Sequence, residues 1–208
     1  LQKYHRSLLE SGEYWRQSMT RFDAQSRVDA TLMSNLRIMR RTLINQISKR
    51  CDKSKETITS VVHSLLSRSI FIKYLEERKD SNGETVFPQG FYSNFLESAK
   101  QYTDVLNSKE ATYSLFRTLK EKFNGDTLQV SEVEIEIITQ NDLDELRTFI
   151  LGDSELESKQ LALWPFYSFD IIPIQLISSI YELFFHLSDE DDEKGTLYTS
   201  PSCQLGHG

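Results

Sequence analysis

Glycine, proline and cysteine are scarce in this sequence of 208 residues, which contains 8 Gly, 4 Pro and 2 Cys. So little Gly and Pro argues against a disordered chain and against a loop-rich all-β fold. The two cysteines, Cys51 and Cys203, are too few and too far apart for a disulfide framework, so we expect a reducing, cytoplasmic location. No apolar run is long enough to cross a bilayer and no signal peptide is visible, so we expect no membrane partner.

Acidic residues are scarce in the first part of the chain and basic residues are scarce in the rest. Residues 1–79 carry 16 Lys and Arg against 8 Asp and Glu, a net charge of +8. Residues 80–208 carry 8 Lys and Arg against 23 Asp and Glu, a net charge of -15. This asymmetry indicates that the basic half binds an anion, or that the two halves bind each other.

Two segments of the basic half have the apolar spacing of helices. Ser26 and Asp29 form a capping-box pattern that predicts the start of a helix, which should run to about residue 50. A second helix, over about 54–80, is apolar around more than half of its circumference and should therefore be central. The residues predicted to face the core are Leu32, Leu36, Met39, Leu43 and Ile47 in the first helix, and Ile58, Val61, Val62, Leu65, Leu66, Ile70, Ile72 and Tyr74 in the second.

The acidic half is also predicted to be helical. Helices are expected near 91–106, 109–122 and 140–151, and in 173–187, where Ile177, Ile180 and Phe184 should be buried. Thr139 with Asp142 should cap the third of these helices and Gly152 should end it. Turns are expected at 80–85 and 123–126, and the pattern of 127–138 fits a short strand or a helical face. The predicted fold is mainly α, a helical bundle-like domain with at most a small β element near 127–138.

Motifs of catalysis and metal binding are absent from the sequence. It contains no phosphate-binding loop, no GxGxxG and no GxSxG, and its four histidines lack the spacing of a zinc site. His63, on a mostly apolar helix, is interpreted as a core or rim histidine. An enzyme acting in its own right is the least favoured of the functions considered.

Basic residues cluster on the first helix and in the turn that follows it. Arg37 and Arg41 lie four residues apart on the polar side, and Arg40 lies at the edge of the apolar stripe. The candidate DNA-phosphate residues are Arg37, Arg40, Arg41, Lys49, Arg50 and Lys53. Such residues can hold phosphates without reading bases. The alternative is that they pair with carboxylates of the acidic half or lie on a solvated face.

Several stretches, in this order, resemble the segment that precedes the catalytic domain in large adenine-specific DNA methyltransferases of restriction-modification systems. The resemblance covers about 22–201. The stretches are FDAQSRVDATLMSNLRIMRRTL, VVHSLLSRSIFIKYLEERK, FNGD, YSFDIIPIQLISSIYELF and KGTLYTSP. In that family, nuclease, helical connector and methyltransferase share one polypeptide.

The resemblance implies a fragmentary cofactor site near the end of the chain. In the family, a Gly-x-Tyr-Tyr-Thr-Pro element opens the methyltransferase domain and lines the S-adenosylmethionine pocket. Gly195, Tyr198 and Thr199 match it, whereas Leu197 replaces an aromatic residue and Ser200 is inserted before the proline. The family's Asn-Pro-Pro-aromatic catalytic motif does not occur in this chain, so we expect no activity and no cofactor in this chain by itself.

The resemblance therefore suggests a helical connector domain over 1–188, followed at 189–208 by an acidic linker and the truncated start of a methyltransferase domain. The implied function is a non-catalytic scaffold that holds methyltransferase and nuclease modules and contacts DNA phosphates. Whether the chain is an expressed fragment or a gene product cut short stays open. The alternative function is a free-standing α-helical protein-interaction protein, such as a truncated product of a mobile element.

Overall fold

The regular secondary structure is helical throughout the described residues, apart from an isolated antiparallel bridge between Lys79 and Thr85. A computed structural model describes residues 13–79, 82–123 and 128–152, with side chains of the first helix from Leu32 onward. The α-helices in these ranges are α1 (Glu13–Arg50), α2 (Lys55–Glu77), α3 (Tyr102–Val105), α4 (Lys109–Phe123), α5 (Glu132–Ile137) and α6 (Gln140–Leu151). A short 3₁₀ helix, Tyr92–Asn94, precedes α3. The prediction of a mainly α, bundle-like domain is confirmed, and the described part of 127–138 contains a helix and no strand.

Helices α1 and α2 form the hairpin on which the rest of the bundle packs. The short turn between Arg50 and Lys55 reverses the chain, and Ser54 caps α2 by accepting a hydrogen bond from the Thr57 amide at 3.2 Å. All five predicted core residues of α1 and all eight of α2 are buried. The two apolar stripes thus meet along the hairpin, as their spacing predicts.

Helix α2 is the centre of the bundle. Six consecutive residues, from Leu65 to Ile70, are buried, so this part of the helix has neighbours on every side. Helix α1 packs on one side, and α3 and α5 pack on others. Helix α6 contacts both α1 and α3 and closes the bundle. Within the described ranges, no helix has the length and the apolar character needed to cross a membrane.

Capping residues set the ends of the last two described helices. Ser131 accepts a hydrogen bond from the Glu134 amide at 3.1 Å, which begins a helix in a segment whose alternating pattern also fitted a strand. Thr139 and Asp142 form the predicted capping box of α6. Gly152 ends α6 in the left-handed conformation at φ 78°, again as predicted.

Two predicted helix boundaries are wrong. Ser26 lies inside α1 and does not begin it, because residues 13–50 contain neither Gly nor Pro to interrupt the helix. The single helix predicted over 91–106 is replaced by the 3₁₀ helix and α3, and Ser98 between them has φ 68°. Stacking of the Phe87 and Phe91 rings, with centroids 4.7 Å apart, fixes this non-helical segment. The 173–187 helix, its three core residues, the 123–126 turn beyond Phe123 and part of the 80–85 turn lie outside the described residues.

A buried ion pair joins α2 to α5. The Arg68 and Glu134 side chains are 0% and 1% exposed, and Arg68 Nη1 lies 2.6 Å from Glu134 Oε1. The second guanidinium nitrogen, Nη2, donates to Glu134 Oε2 at 3.2 Å and to the Gln129 carbonyl at 2.6 Å. The Arg68 guanidinium also lies over the Phe116 ring of α4, 4.6 Å from its centroid. Three segments therefore meet at one arginine.

Tyrosines around this pair are held neutral by their surroundings. Burial, and to a smaller extent the Glu134 charge, raise the pKa of Tyr113 far above its ordinary value. Burial likewise raises the pKa of Tyr102, whose hydroxyl lies 2.8 Å from the Ser69 hydroxyl. Burial and the Glu76 carboxylate raise the pKa of Tyr92. The polar interior around α2 thus combines the fully buried Arg68–Glu134 pair with neutral phenols.

Truncation of Leu66 tests the central position of α2. Leu66 is 1% exposed, so Leu66→Ala should lower the free energy of unfolding by roughly 2–5 kcal/mol through lost burial and a cavity. Denaturant melts measure this change. A loss below about 0.5 kcal/mol, which is typical of surface positions, would contradict the assignment.

Removal of one partner of the buried pair should be more damaging than removal of both. Glu134→Gln leaves the Arg68 charge buried without a counter-charge, so we expect the free energy of unfolding to fall by about 3–5 kcal/mol. The double variant Arg68→Met with Glu134→Leu removes both charges and should recover a large part of that loss. Denaturant melts of the two variants decide the point, and equal losses would show that packing around Arg68 matters more than charge.

Candidate phosphate-binding surface

Four basic residues surround the turn between α1 and α2. Lys49 and Arg50 form the end of α1, Lys53 lies in the turn, and Lys55 begins α2. The lysines are exposed, and the Arg50 side chain is 34% exposed. We call these four residues the basic corner. Long side chains at a helix end and an adjoining turn can point to one phosphate backbone.

Arg50 braces the corner against the junction of α5 and α6. Its Nη2 donates to the Ile137 carbonyl at 3.2 Å and pairs with the Asp142 carboxylate. The Asp142 side chain is only 1% exposed, and it also accepts hydrogen bonds from the Thr139 amide and hydroxyl at 2.7 and 2.8 Å. One carboxylate therefore caps α6 and holds Arg50. The pairing of a basic-half residue with the acidic half is the alternative that the sequence left open.

Lys53 has a different kind of partner. Its Nζ lies 3.1 Å from Glu136 Oε1 and 3.2 Å from Oε2. The two side chains are 37% and 63% exposed. Since both groups are well hydrated, the pair contributes little net stability. Lys53 is thus paired but still at the surface.

The three other candidates on α1 are in different environments. Arg40 is buried, at 1% exposure, and its Nε donates to His63 Nε2 at 2.6 Å. Arg40 thus lies at the edge of the apolar stripe, where His63 of α2 contacts it, and its side chain is not exposed at the surface. Arg37 is half-buried, with a buried Nε, whereas Arg41 is exposed two turns before the corner. His63 is half-buried in the hairpin, which agrees with its interpretation as a core or rim histidine.

A groove of about 800 Å³ adjoins the basic corner. It lies between the last turns of α1 and the first turns of α6. Its lining includes three carboxylates, those of Asp142, Asp144 and Glu145, and one guanidinium, that of Arg50. The carboxylates make the groove unsuitable for phosphate, so any phosphate contact should lie on the lysine side of the corner.

The described residues contain no cluster of His, Cys, Asp or Glu that could hold a metal ion. Gly195, Tyr198 and Thr199, the residues matched to the cofactor element, lie outside the described ranges. Residues that sequence reasoning missed are Asp142 and Glu136 as partners of the corner. Their signal was the charge asymmetry of the chain, which indicates pairing between halves but not which residues pair.

Replacement of Asp142 tests the contact by which this carboxylate holds Arg50. Asp142→Asn removes the charge that holds Arg50 and weakens the cap of α6, so we expect a loss of about 1–3 kcal/mol in the free energy of unfolding. Glu145→Gln is the matched control, because Glu145 is an exposed carboxylate on the same helix and should change stability by less than about 0.5 kcal/mol. Urea melts of the two variants make the comparison. Equal effects of the two substitutions would mean that Arg50 does not depend on Asp142.

Comparison with known proteins identified no similar protein. No protein-family model, no curated protein and no solved structure matches the chain. The resemblance to methyltransferase connector segments therefore rests on the sequence stretches quoted above, and a function for the chain is a proposal.

Proposed function

We propose that the chain is a non-catalytic helical connector domain of, or derived from, an adenine-specific DNA methyltransferase of a restriction-modification system. The observation that carries the scaffold role is α1, which has 38 residues and therefore spans about 57 Å at 1.5 Å per residue. The C-terminal part of α1 is fixed in the bundle by its buried stripe. A long helix with one end fixed suits a domain that holds a methyltransferase module and a nuclease module at a set distance.

In this proposal, the lysines of the basic corner contact DNA phosphates. Lys49, Lys53 and Lys55 carry charges on flexible stems at the surface, which gives attraction to a backbone without base readout. The overall charge of -7 opposes binding, so the contact depends on the local arrangement of cations. Binding should therefore be weak and indifferent to sequence.

Catalysis is assigned to other parts of the parent enzyme. Gly195, Tyr198 and Thr199 would contribute to an S-adenosylmethionine pocket only together with a downstream domain. The chain itself lacks the Asn-Pro-Pro-aromatic motif, so we assign it no methyl transfer. We place the protein in the cytoplasm, since its two cysteines fit a reducing compartment.

One observation favours a second function, that of a free-standing helical protein-interaction protein. Arg50 and Lys53 pair with Asp142 and Glu136 of the acidic half, which cancels part of the positive charge available to DNA. If these pairs persist in the presence of DNA, the basic corner only connects α1 and α2 to α5 and α6. The surface of the bundle would then bind a protein partner instead of DNA.

A duplex titration separates the two functions. At about 50 mM salt, fluorescence anisotropy should detect weak binding to duplexes of any sequence. The affinity should fall with salt at roughly 0.9 log units per log unit of salt for each phosphate neutralised. Lys49→Ala with Lys53→Ala should lower the affinity for all duplexes alike and flatten the slope by about two.

The matched control is Lys100→Ala with Lys122→Ala, which removes two exposed lysines outside the corner. Non-specific attraction to the whole surface would make the two double variants equal. If the unsubstituted chain does not bind any duplex at this salt concentration, DNA is not a partner of this domain and the protein-interaction function is preferred.

A further inference from the structure

We propose that Glu136 competes with DNA phosphate for Lys53 and so limits the affinity of the basic corner. This inference rests on the proposed phosphate contact and concerns the regulation of that surface. Glu136 would hold Lys53 in the free protein and release it when a duplex backbone arrives. The ligand class is the phosphodiester backbone of duplex DNA.

The geometry of the Lys53–Glu136 pair favours exchange. Lys53 Nζ lies within 3.2 Å of both Glu136 carboxylate oxygens, while both side chains keep contact with water. An exposed pair of this kind is only slightly more stable than its separated, hydrated groups. A phosphate oxygen offers the same kind of acceptor, and a duplex presents many of them in a row. Lys53 can therefore change partners at little cost.

The neighbouring pair has the opposite character. Asp142 is buried and would lose its counter-charge if Arg50 turned toward a phosphate. The Ile137 carbonyl would also lose its hydrogen bond from Arg50. Arg50 therefore remains a brace while Lys53 exchanges. In this way the structure divides the predicted phosphate residues into a positioning arginine and an exchangeable lysine.

The position of Glu136 is fixed by the bundle. Glu134, two residues earlier in α5, is held by Arg68 in the core. The carbonyl of Ile135 accepts a hydrogen bond from Lys109 Nζ at 2.6 Å. The Ile137 carbonyl, just after Glu136, accepts the hydrogen bond from Arg50. Since α5 is anchored just before and just after Glu136, this residue stays beside the corner after Lys53 leaves. It would then repel the bound phosphates, which lowers the affinity further.

Neutralisation of Glu136 tests the proposal. Glu136→Gln should raise the affinity for a duplex about two- to fivefold at about 50 mM salt, since it frees Lys53 and removes a repelling charge. Glu132→Gln is the matched control, because it removes an exposed carboxylate from the same helix, one turn earlier. This control should raise the affinity by less than Glu136→Gln does. Both gains should shrink as salt is added.

A double-variant cycle identifies Lys53 as the source of the gain. In a Lys53→Ala background, the advantage of Glu136→Gln over Glu132→Gln should shrink, because no lysine remains to be released and only the repulsion between Glu136 and phosphate is left to remove. Thermal melts should show that all variants keep the fold, since the exchanged groups are exposed. The cycle therefore reports on the exchange and not on folding.

Each other outcome overturns the inference in a recognisable way. If the unsubstituted chain binds duplexes and the two glutamine variants have equal affinities, the competition is refuted and the phosphate contact stands. If the extra gain of Glu136→Gln is as large without Lys53 as with it, Glu136 acts only through its general field and not through exchange. If neither the unsubstituted chain nor Glu136→Gln binds, the phosphate contact itself is refuted, and the competition with it.

Discussion

The position of α5 in this bundle depends on a salt bridge that has no contact with water. Arg68 projects from the middle of the central helix, and Glu134 satisfies two of its nitrogens. A buried charge without its partner costs several kcal/mol, so this contact leaves α5 one favourable position and orientation. The Gln129 carbonyl and the Phe116 ring complete the surroundings of the guanidinium. We expect the pair to contribute more to the uniqueness of this arrangement than to its net stability.

The Arg68–Glu134 pair in the core also fixes residues at the surface, because these residues follow Glu134 closely in the chain. Glu136 and Ile137 follow Glu134 by two and three residues, so the anchored helix sets the carboxylate and the carbonyl that meet the basic corner. Asp142, in the first turn of α6, adds the third contact and fixes Arg50. These contacts link the corner to residues 136–142, in the acidic half of the sequence. Its exposed contact is the hydrated pair formed by Lys53 and Glu136, for which we propose exchange with phosphate.

The sequence predicted correctly those structural features that depend only on residues close together in the chain. The stripes of α1 and α2, the capping box at Thr139 and the end at Gly152 all follow from spacings of three or four residues or from one conformationally special residue. The segment 132–137 alternates in a way that fits a strand, and the cap by Ser131 decides for a helix. Period-two patterns in so short a segment do not distinguish the two structures.

Contacts between distant residues were not predictable in this way. Arg68 and Glu134 are 66 residues apart, and no periodicity links them. The sequence placed Arg40 at the edge of the apolar stripe, but it could not show that His63 of α2 contacts it. The helix expected over 91–106 failed because packing of aromatic rings overrode the apolar spacing. At the corner, the charge asymmetry indicated a partner without distinguishing DNA from the acidic half.

The most direct measurement of a phosphate-contacting corner is NMR chemical-shift mapping of the chain with a duplex at about 50 mM salt. The account predicts that the amide signals of residues 49–55 and of Glu136 shift as the duplex is added, while those of α4 stay in place. Loss of the shifts at higher salt should follow, because the contact is electrostatic. The absence of any shift, or shifts concentrated on α4, would contradict the account.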